Sequence, residues 1–242
     1  EMQAKYDPQT KYPRHQTAHP QGGVFLTESA AKVQEVGLSI VKSMGIKLKE
    51  GGVLDLLKMS RPAIISYHKT YLECVGGDFF NTKFLNKAAA TSDPLERMKN
   101  VVAFFISGIY RNSAEFQNNG PLNPILGESY IANKKDGTGL FCEQISHHPP
   151  VSAYLITGPK NSYQLYGTGE LDVKMNGVNN IIGKRIGKTS ISFPDGGKVV
   201  FTNPDTRIDG LLIGDRRYNY IKTCVFLDKK NSLSAEVTFL YE

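Results

Sequence analysis

Two adjacent histidines in a proline-flanked segment are the residues of this sequence best suited to chemistry. Residues 143–150 read Glu-Gln-Ile-Ser-His-His-Pro-Pro, which places the pair at His147 and His148. Two consecutive prolines fix φ and remove two N–H donors, so they favour a rigid corner directly after a strand. Imidazoles displayed at such a corner can donate hydrogen bonds to phosphate oxygens, more strongly when they are protonated. The residues alone leave two interpretations open, a phosphate-binding site and a surface turn.

Motifs for catalysis or metal binding are missing from the sequence. Residues 183–189, Gly-Lys-Arg-Ile-Gly-Lys-Thr, approach a phosphate-binding P-loop, but only three residues separate the two glycines and a P-loop needs a wider spacing. We interpret the segment as a basic hairpin or connection. Gly-x-Ser-x-Gly and His-Glu-x-x-His do not occur, and adjacent side chains on a strand point to opposite faces, which makes two neighbouring histidines poor metal ligands. We therefore expect no catalytic residues, no metal and no cofactor.

The composition is that of an ordinary globular chain. It has 242 residues, of which 40% are apolar and 21% charged, and a net charge of +6; one large β domain fits these values. No apolar run is long enough for a membrane-spanning helix, and the first residues lack the apolar core of a secretory signal. The three cysteines form no Cys-x-x-Cys pair, which favours a reduced, cytosolic protein. The positive charge suits transient contact with an anionic membrane surface and does not require nucleic acid.

The first half of the chain carries helical patterns. Residues 1–23 show no periodicity and are expected to form an extended arm. Residues 28–44 have an apolar stripe at helical spacing, which consists of Val33, Val36, Ile40, Val41 and Met44. A further helix is predicted from residue 61 to about residue 75.

The clearest helix of the sequence begins near Asp93. Asp93 is the predicted N-cap, Pro94 occupies the first helical position, and Glu96 completes a capping box. The helix is expected to run over residues 93–110. Its predicted buried face consists of Leu95, Met98, Val102, Phe105, Ile106 and Ile109.

After about residue 120 the pattern changes to short segments rich in β-branched and aromatic residues, separated by Gly and Asn. Turn signals such as Asn-Gly at 176–177 and Asp-Gly-Gly at 195–197 indicate an antiparallel meander. The predicted strands are 140–145, 151–157, 163–173, 189–193, 198–202, 208–213, 218–227 and 233–241. The predicted fold class is mainly β (α+β), with N-terminal helices on a curved antiparallel sheet.

The histidine segment resembles the fingerprint of the oxysterol-binding protein family, Glu-Gln-x-Ser-His-His-Pro-Pro, without a mismatch. A second motif of that family lies at 121–128, which reads Pro-Leu-Asn-Pro-Ile-Leu-Gly-Glu. The resemblance covers the chain from about residue 30 to its end. It implies a large antiparallel β-barrel with N-terminal helices and a lid over an apolar tunnel, which holds one sterol or one phospholipid. Many family members also bind phosphatidylinositol 4-phosphate and exchange it for the other lipid between membranes.

The resemblance also implies roles for individual residues. His147 and His148 match the ligands of the lipid headgroup phosphate, and Asn123 matches an asparagine that contacts the headgroup. The helix at 28–44 would correspond to the lid, with its apolar stripe facing the tunnel; an ordinary core helix is the alternative for this segment.

Two positions depart from the family pattern. Gly120 stands where the family has a lysine that pairs with the inositol phosphate. A later family segment with Lys, Glu and Arg at four-residue spacing does not occur before Glu242, so we expect the chain to lack the C-terminal segment, either as a fragment or as a short family member. The barrel is then expected to be incomplete, and phosphoinositide binding to be weakened.

These inferences divide the chain into an arm at 1–23 and a lipid-binding domain at 24–242. Within the domain, 24–119 holds the lid and helices, and 120–242 holds the sheet. We expect a cytoplasmic, monomeric, peripherally membrane-associated protein that binds and transfers a sterol or a phospholipid and is not an enzyme. The alternatives are a phosphoinositide- or sterol-sensing adaptor without transfer activity and a phosphoesterase that uses the two histidines.

Overall fold

The structure is a computed structural model that describes residues 18–19, 22–26, 66–115, 120–177 and 179–240. The predicted lid helix at 28–44 lies outside these residues, and so does most of the predicted arm at 1–23. The domain boundaries drawn above therefore stay predictions.

The described residues form three α-helices and thirteen strands, together with one turn of 3-10 helix at Pro159–Asn161. The helices are α1 (Tyr71–Asp78), α2 (Lys83–Ala90) and α3 (Pro94–Glu115). The strands are β1 (Val24–Phe25), β2 (Ser66–Thr70), β3 (Gly120–Leu122), β4 (Ser129–Asn133), β5 (Gly139–His147), β6 (Pro150–Thr157), β7 (Gln164–Asn176), β8 (Asn180–Ile186), β9 (Lys188–Ser192), β10 (Lys198–Thr202), β11 (Asp205–Asp209), β12 (Arg217–Asp228) and β13 (Leu233–Phe239). None of the helices within the described ranges is long and apolar enough to cross a bilayer.

Helix α3 begins where the sequence predicts, but its first turn is capped differently. The Asp93 carboxylate accepts a hydrogen bond from the Leu95 N–H at 2.9 Å, as an N-cap should. The Asp93 N–H donates to the Thr91 hydroxyl at 3.1 Å, and the Glu96 carboxylate instead pairs with Lys99 at 2.6 Å. The expected capping box is therefore wrong, because Thr91 takes the place of Glu96.

The buried face of α3 is rotated from the predicted stripe. Met98, Phe105 and Ile109 are buried as predicted, whereas Leu95 and Ile106 are 51% and 46% exposed and were assigned to the core wrongly. Val102 is half-buried, and Val101 and Phe104 complete the buried face instead. The periodicity predicts the position of the buried stripe to within about one residue. Which residues at the margin of the stripe become buried depends on the elements that pack against the helix.

The predicted helix from 61 to about 75 is wrong over residues 66–70. These residues form β2, which pairs in parallel with β3, and the helix starts only at Tyr71. The segment Ser-Tyr-His-Lys-Thr contains aromatic and β-branched residues that suit a strand, and the partner strand lies about fifty residues away in the sequence, where a local pattern does not reveal it.

The main sheet is an antiparallel meander of eleven strands. Strands β8 and β9 act as one bent strand along β7, interrupted at Gly187, where a Cβ would lie 2.0 Å from the Thr168 carbonyl oxygen. Strands β10 and β11 form a second bent strand, interrupted at residues 203–204. Among the described strands, β4 and β13 end the path without pairing to each other, so the sheet is an incomplete barrel. This confirms the predicted fold class.

The turns of the meander alternate between two ends of the sheet. We call the upper end the one that holds the loop 123–128 and the turns 148–149, 177–179 and 210–216. The lower end holds the turns 134–138, 158–163, 193–197 and 229–232. The histidine pair therefore lies at the upper end.

The hydrophobic core lies between the helices and one face of the lower part of the sheet. Aromatic side chains from both layers meet there: Phe105 of α3 contacts Phe201 and Phe226 edge-on, with ring centroids 5.4 and 5.1 Å apart. All three rings are buried. The helix-facing side of the sheet is thus the inside of the incomplete barrel.

Candidate functional site

The two motifs found in the sequence meet at the upper end. The Gln144 N–H donates to the Glu128 carbonyl and the Gly127 N–H donates to the Gln144 carbonyl, both at 2.9 Å. The His147 ring nitrogen Nδ1 lies 3.0 Å from the carbonyl oxygen of Pro124. Since Asn123 precedes Pro124, the structure brings the three predicted headgroup ligands to one place. We call this group, His147, His148 and Asn123, the histidine corner.

The histidine pair lies at the point where β5 ends. His147 is the last residue of the strand and is half-buried, whereas His148 lies in the turn and is exposed. The two ring centroids are 4.6 Å apart. The expectation that the rings point to opposite faces is wrong, because the alternation of a strand stops at His147. Asn123 is exposed beside them.

The contact with Pro124 determines which nitrogen of His147 carries a proton. A carbonyl oxygen only accepts, so Nδ1 is the donor. In the neutral ring the other nitrogen, Nε2, is then an acceptor that repels an anion. Nε2 donates to a phosphate oxygen only when the imidazole is protonated.

A buried polar pair supports the corner from below. Gln144 is fully buried, and its side-chain amide donates to the Ser146 carbonyl at 2.9 Å. The hydroxyl of buried Ser152 donates to the Gln144 amide oxygen at 2.5 Å. Between Gln144 and Ser146 the strand register shifts, which marks a bulge. Bulges redirect the side chains that follow them, and His147 follows this one.

An apolar row crosses the upper part of the inner sheet face. Cross-strand pairing aligns Met175 with Ile181, Ile181 with Ile208, Ile208 with Tyr218, and Tyr218 with Val24. Directly paired residues share a face of a sheet. We call these five residues the inner wall.

The inner wall lies on the same face as the helices. The Tyr218 ring contacts the Tyr220 ring, with centroids 5.5 Å apart, and the Tyr220 hydroxyl donates to the Ile109 carbonyl of α3 at 3.0 Å. All five wall residues are half-buried, whereas Ile191, lower on this face, is fully buried. The upper inside of the barrel is thus an apolar surface that the described helices leave partly open.

Sequence reasoning missed the inner wall, although a signal for it exists. The predicted strand 163–173 stops before Met175, and no strand was predicted between residues 173 and 189. Residues 183–189 were interpreted as a basic hairpin or connection, whereas all but Gly187 belong to β8 and β9. The Asn-Gly turn at 176–177 is a hairpin signal, and a hairpin requires a strand on each side. Extending the predicted strand to that turn and placing a second strand after it would have found β8.

A cavity of about 220 Å³ lies apart from the inner wall, between α1 and strands β4–β6. Its lining includes Lys69, Glu73, Tyr130, Lys134 and Leu140, and it contains none of the predicted site residues. Lys134 is bonded to the Phe80 carbonyl and the Thr82 hydroxyl. In the part of the chain that the structure describes, no three His, Cys, Asp or Glu side chains are grouped to hold a metal ion.

Gly120, the position that departs from the family motif, is the first residue of β3. It pairs with Ser66 and is half-buried. It lies three residues before Asn123, on the approach to the histidine corner.

Comparison with known proteins gives matches along most of the chain. A model of the oxysterol-binding protein family matches residues 47–242. The chain is 35% identical to oxysterol-binding protein 9 of Dictyostelium discoideum over 234 residues, which cover 96% of this chain and 53% of that protein. It is 28% identical to oxysterol-binding protein-related protein 8 of Homo sapiens over 213 residues, which cover 86% of this chain and 23% of that protein. The chain therefore spans about half the length of the first relative and less of the second.

Solved structures match the fold as well. The Osh1 ORD domain in complex with ergosterol aligns with a TM-score of 0.70 at 25% identity, over 81% of this chain and 47% of that one. The Osh3 ORD of Saccharomyces cerevisiae in complex with PI(4)P aligns with a TM-score of 0.65 at 24% identity, over 76% and 48%. Together with the family match and the two motifs at the upper end, these likenesses show that the chain belongs to the oxysterol-binding protein family.

Proposed function

We propose that this protein binds one lipid molecule inside the incomplete barrel and carries it between membranes. The observation that carries the proposal is that the histidine corner and the open inner wall lie at the same end of one sheet face. A lipid is an apolar body with a polar head, and this end offers one surface for each part. The protein acts in the cytoplasm as a peripheral membrane protein and as a carrier, with no catalysed step.

The apolar body of the lipid lies against the inner wall in this proposal. Burying apolar surface is favourable by about 25 cal/mol per Å². Ligand sites of this kind are concave, largely apolar and fitted with a few polar groups. The Osh1 ORD domain has been solved with ergosterol and with cholesterol, which supports a sterol as one ligand; a phospholipid is the other.

The polar head of a phospholipid lies at the histidine corner. Protonated His147 and His148 and the Asn123 amide each supply N–H donors, and hydrogen bonds to charged groups contribute about 1.5–3 kcal/mol each. For a phosphoinositide these residues supply the phosphate ligands.

Native mass spectrometry of the purified protein tests the proposal directly, because a carrier retains its lipid. We expect one sterol or phospholipid per chain and extraction of the same lipid from labelled liposomes. Binding without extraction would indicate a sensing adaptor. The absence of any bound lipid, together with failure to take one up, would contradict the proposal.

Replacing both histidines with alanine tests the headgroup site. The His147→Ala/His148→Ala protein should bind phosphatidylinositol 4-phosphate vesicles at least about tenfold more weakly. Sterol uptake and the melting temperature serve as controls and should change little. Unchanged phosphoinositide binding with a much lower melting temperature would assign the histidines a structural role.

A further inference from the structure

The upper end of the sheet differs from the lower end in the side chains that its loops expose. In the loop 210–216, Ile213 is 80% exposed and Leu212 is 42% exposed. In the loop 123–128, Ile125 and Leu126 are 69% and 64% exposed. The four lower turns, all within the described residues, expose no large apolar side chain. They carry lysines instead: Lys134, Lys135, Lys160, Lys229 and Lys230.

The exposed tip of the loop 210–216 is held in place by a neighbouring turn. The Asn179 side-chain oxygen accepts hydrogen bonds from the Leu212 and Ile213 N–H groups at 2.8 and 3.0 Å. The Asn179 amide nitrogen donates to the Ile213 carbonyl at 2.9 Å. Below the tip, Leu211 is buried and its N–H donates to the Asn179 carbonyl at 3.2 Å. The two apolar side chains are therefore presented to solvent by an ordered loop.

These hydrogen bonds affect whether the loop tip can leave water and enter the apolar part of a bilayer. An unpaired backbone N–H or carbonyl costs several kcal/mol in hydrocarbon, so a loop enters a bilayer only when its backbone groups are already bonded. Asn179 bonds three such groups at the tip without help from water. The Ile125 N–H in the second apolar loop is bonded in the same way, to the Glu128 carboxylate at 3.2 Å.

We propose that the upper end of this protein docks on a phospholipid bilayer by inserting the side chains of Leu212 and Ile213. This inference rests on the proposed function, since a lipid that reaches the inner wall from a membrane passes through the upper end. Ile125 and Leu126 form a second contact on the same side. Asn179 is the residue that prepares the loop for insertion, because it pairs the backbone of the tip in advance.

The absence of tryptophan from the sequence allows a direct test. An Ile213→Trp variant carries a single indole at the loop tip. Its emission should shift to the blue when vesicles of phosphatidylcholine and phosphatidylserine are added, and brominated acyl chains should quench it. The matched control is Ile131→Trp, at a residue that is 63% exposed on the sheet face away from the helices; its emission should not change.

Two results of this experiment would overturn the proposal. Emission of the Ile213→Trp variant that vesicles leave unchanged would show that the loop stays in water. Emission that is already blue without vesicles would show that another part of the chain, or another protein molecule, covers the loop.

A second variant measures the contribution of the tip to binding. The Leu212→Ser/Ile213→Ser protein should float with the same vesicles at least about tenfold less efficiently than the wild type. Ile131→Ser is the control and should float like the wild type. Equal flotation of all three proteins would also contradict the insertion.

Loading sterol from a cyclodextrin complex separates this proposal from the proposed function, because it needs no bilayer. The Leu212→Ser/Ile213→Ser protein should load normally from cyclodextrin and extract sterol slowly from vesicles. A wild type that loads from neither source would refute lipid carriage, while the indole experiment would still decide the docking. A variant that extracts from vesicles as fast as the wild type would refute the docking alone.

Discussion

Gln144 is a buried amide directly behind the histidine corner. It bonds the Ser152 hydroxyl and the Ser146 carbonyl at once, on both sides of the bulge that precedes His147. A buried polar group that loses its partner costs about 1–3 kcal/mol. We therefore expect the orientation of His147 to depend on Gln144, although Gln144 is too deeply buried to touch a ligand.

Replacing Gln144 with leucine should remove both hydrogen bonds while keeping a similar volume. We expect the free energy of unfolding to fall by about 2 kcal/mol and the binding of phosphoinositide vesicles to weaken, because the bulge relaxes. Chemical denaturation and vesicle flotation measure the two effects. Gln164→Leu, at an exposed position on β7, is the matched control and should alter neither. A Gln144→Leu protein with wild-type stability and binding would show that the bulge does not need this amide.

Restoring the family lysine at Gly120 should raise phosphoinositide affinity by about tenfold, since an ammonium near a phosphate adds a charge-assisted hydrogen bond. The backbone can accept the change, because Gly120 is not among the glycines with positive φ. Titration with phosphatidylinositol 4-phosphate vesicles measures the affinity, with Gly120→Ala as the control for the loss of glycine. No gain with lysine would mean that this charge does not limit binding.

At the scale of elements, one arginine joins the start of α3 to a lower turn of the sheet. Arg97 is buried, and its guanidinium bonds both oxygens of Asp195 at 3.1 and 2.5 Å. It also donates to the carbonyls of Ala88 and Thr91 and lies 4.5 Å from the centre of the Phe193 ring. The Arg97 guanidinium thus bonds both the connection between α2 and α3 and the turn between β9 and β10.

The Arg97 hydrogen bonds lower the pKa of Asp195 below its ordinary value of 3.8. A carboxylate with a lowered folded-state pKa stabilises the fold above its unfolded pKa, and this contribution is lost as the pH falls through the folded-state value. The wild type should therefore lose more stability between about pH 5 and pH 3 than Asp195→Asn. The difference should stay within about 1 kcal/mol, because Asp195 is 51% exposed. Thermal melting at several pH values checks this, and parallel curves for the two proteins would refute it.

The elements that the sequence predicts best are those whose signals are local. Strand 198–202 and the start of α3 at Pro94 agree with the structure because β-branched runs and caps act over a few residues. The loop at 210–213 was predicted as strand because of its apolar residues, yet Asn179 holds Leu212 and Ile213 in solvent while Leu211 is buried. The histidine corner was found by resemblance, and its contact with Pro124 joins residues 23 positions apart, which local patterns do not encode.

At the scale of the whole molecule, the inner face of the sheet has two parts, which differ in how closely the helices cover them. The lower part packs on the helices and includes Ile191, which is fully buried. The upper part includes Ile208 of the inner wall, which is half-buried. Ile191 and Ile208 are the same residue type on the same face, so replacing each one compares the packed part of the face with the partly open part.

Ile191→Ala should cost about 2–5 kcal/mol of stability, as is usual for a cavity in a packed core. Ile208→Ala should cost clearly less, because its surroundings are partly open. Ile208→Trp should leave the fold intact and reduce the amount of bound lipid, since the larger ring takes up space at the wall. Denaturation and native mass spectrometry give both readouts. Equal losses of stability for the two alanine variants would mean that the wall is part of the core.

The interruptions at Gly187 and at residues 203–204 bend the long strands between these two parts. We expect mutations above the bends to alter the proposed ligand wall more than the helix-bound core. If the wall holds the lipid as we propose, such a division would let lineages change their preferred lipid through point mutations that leave the core folded. We expect descendants of one ancestral barrel to differ most in the wall strands above the bends and least in the aromatic layer below them.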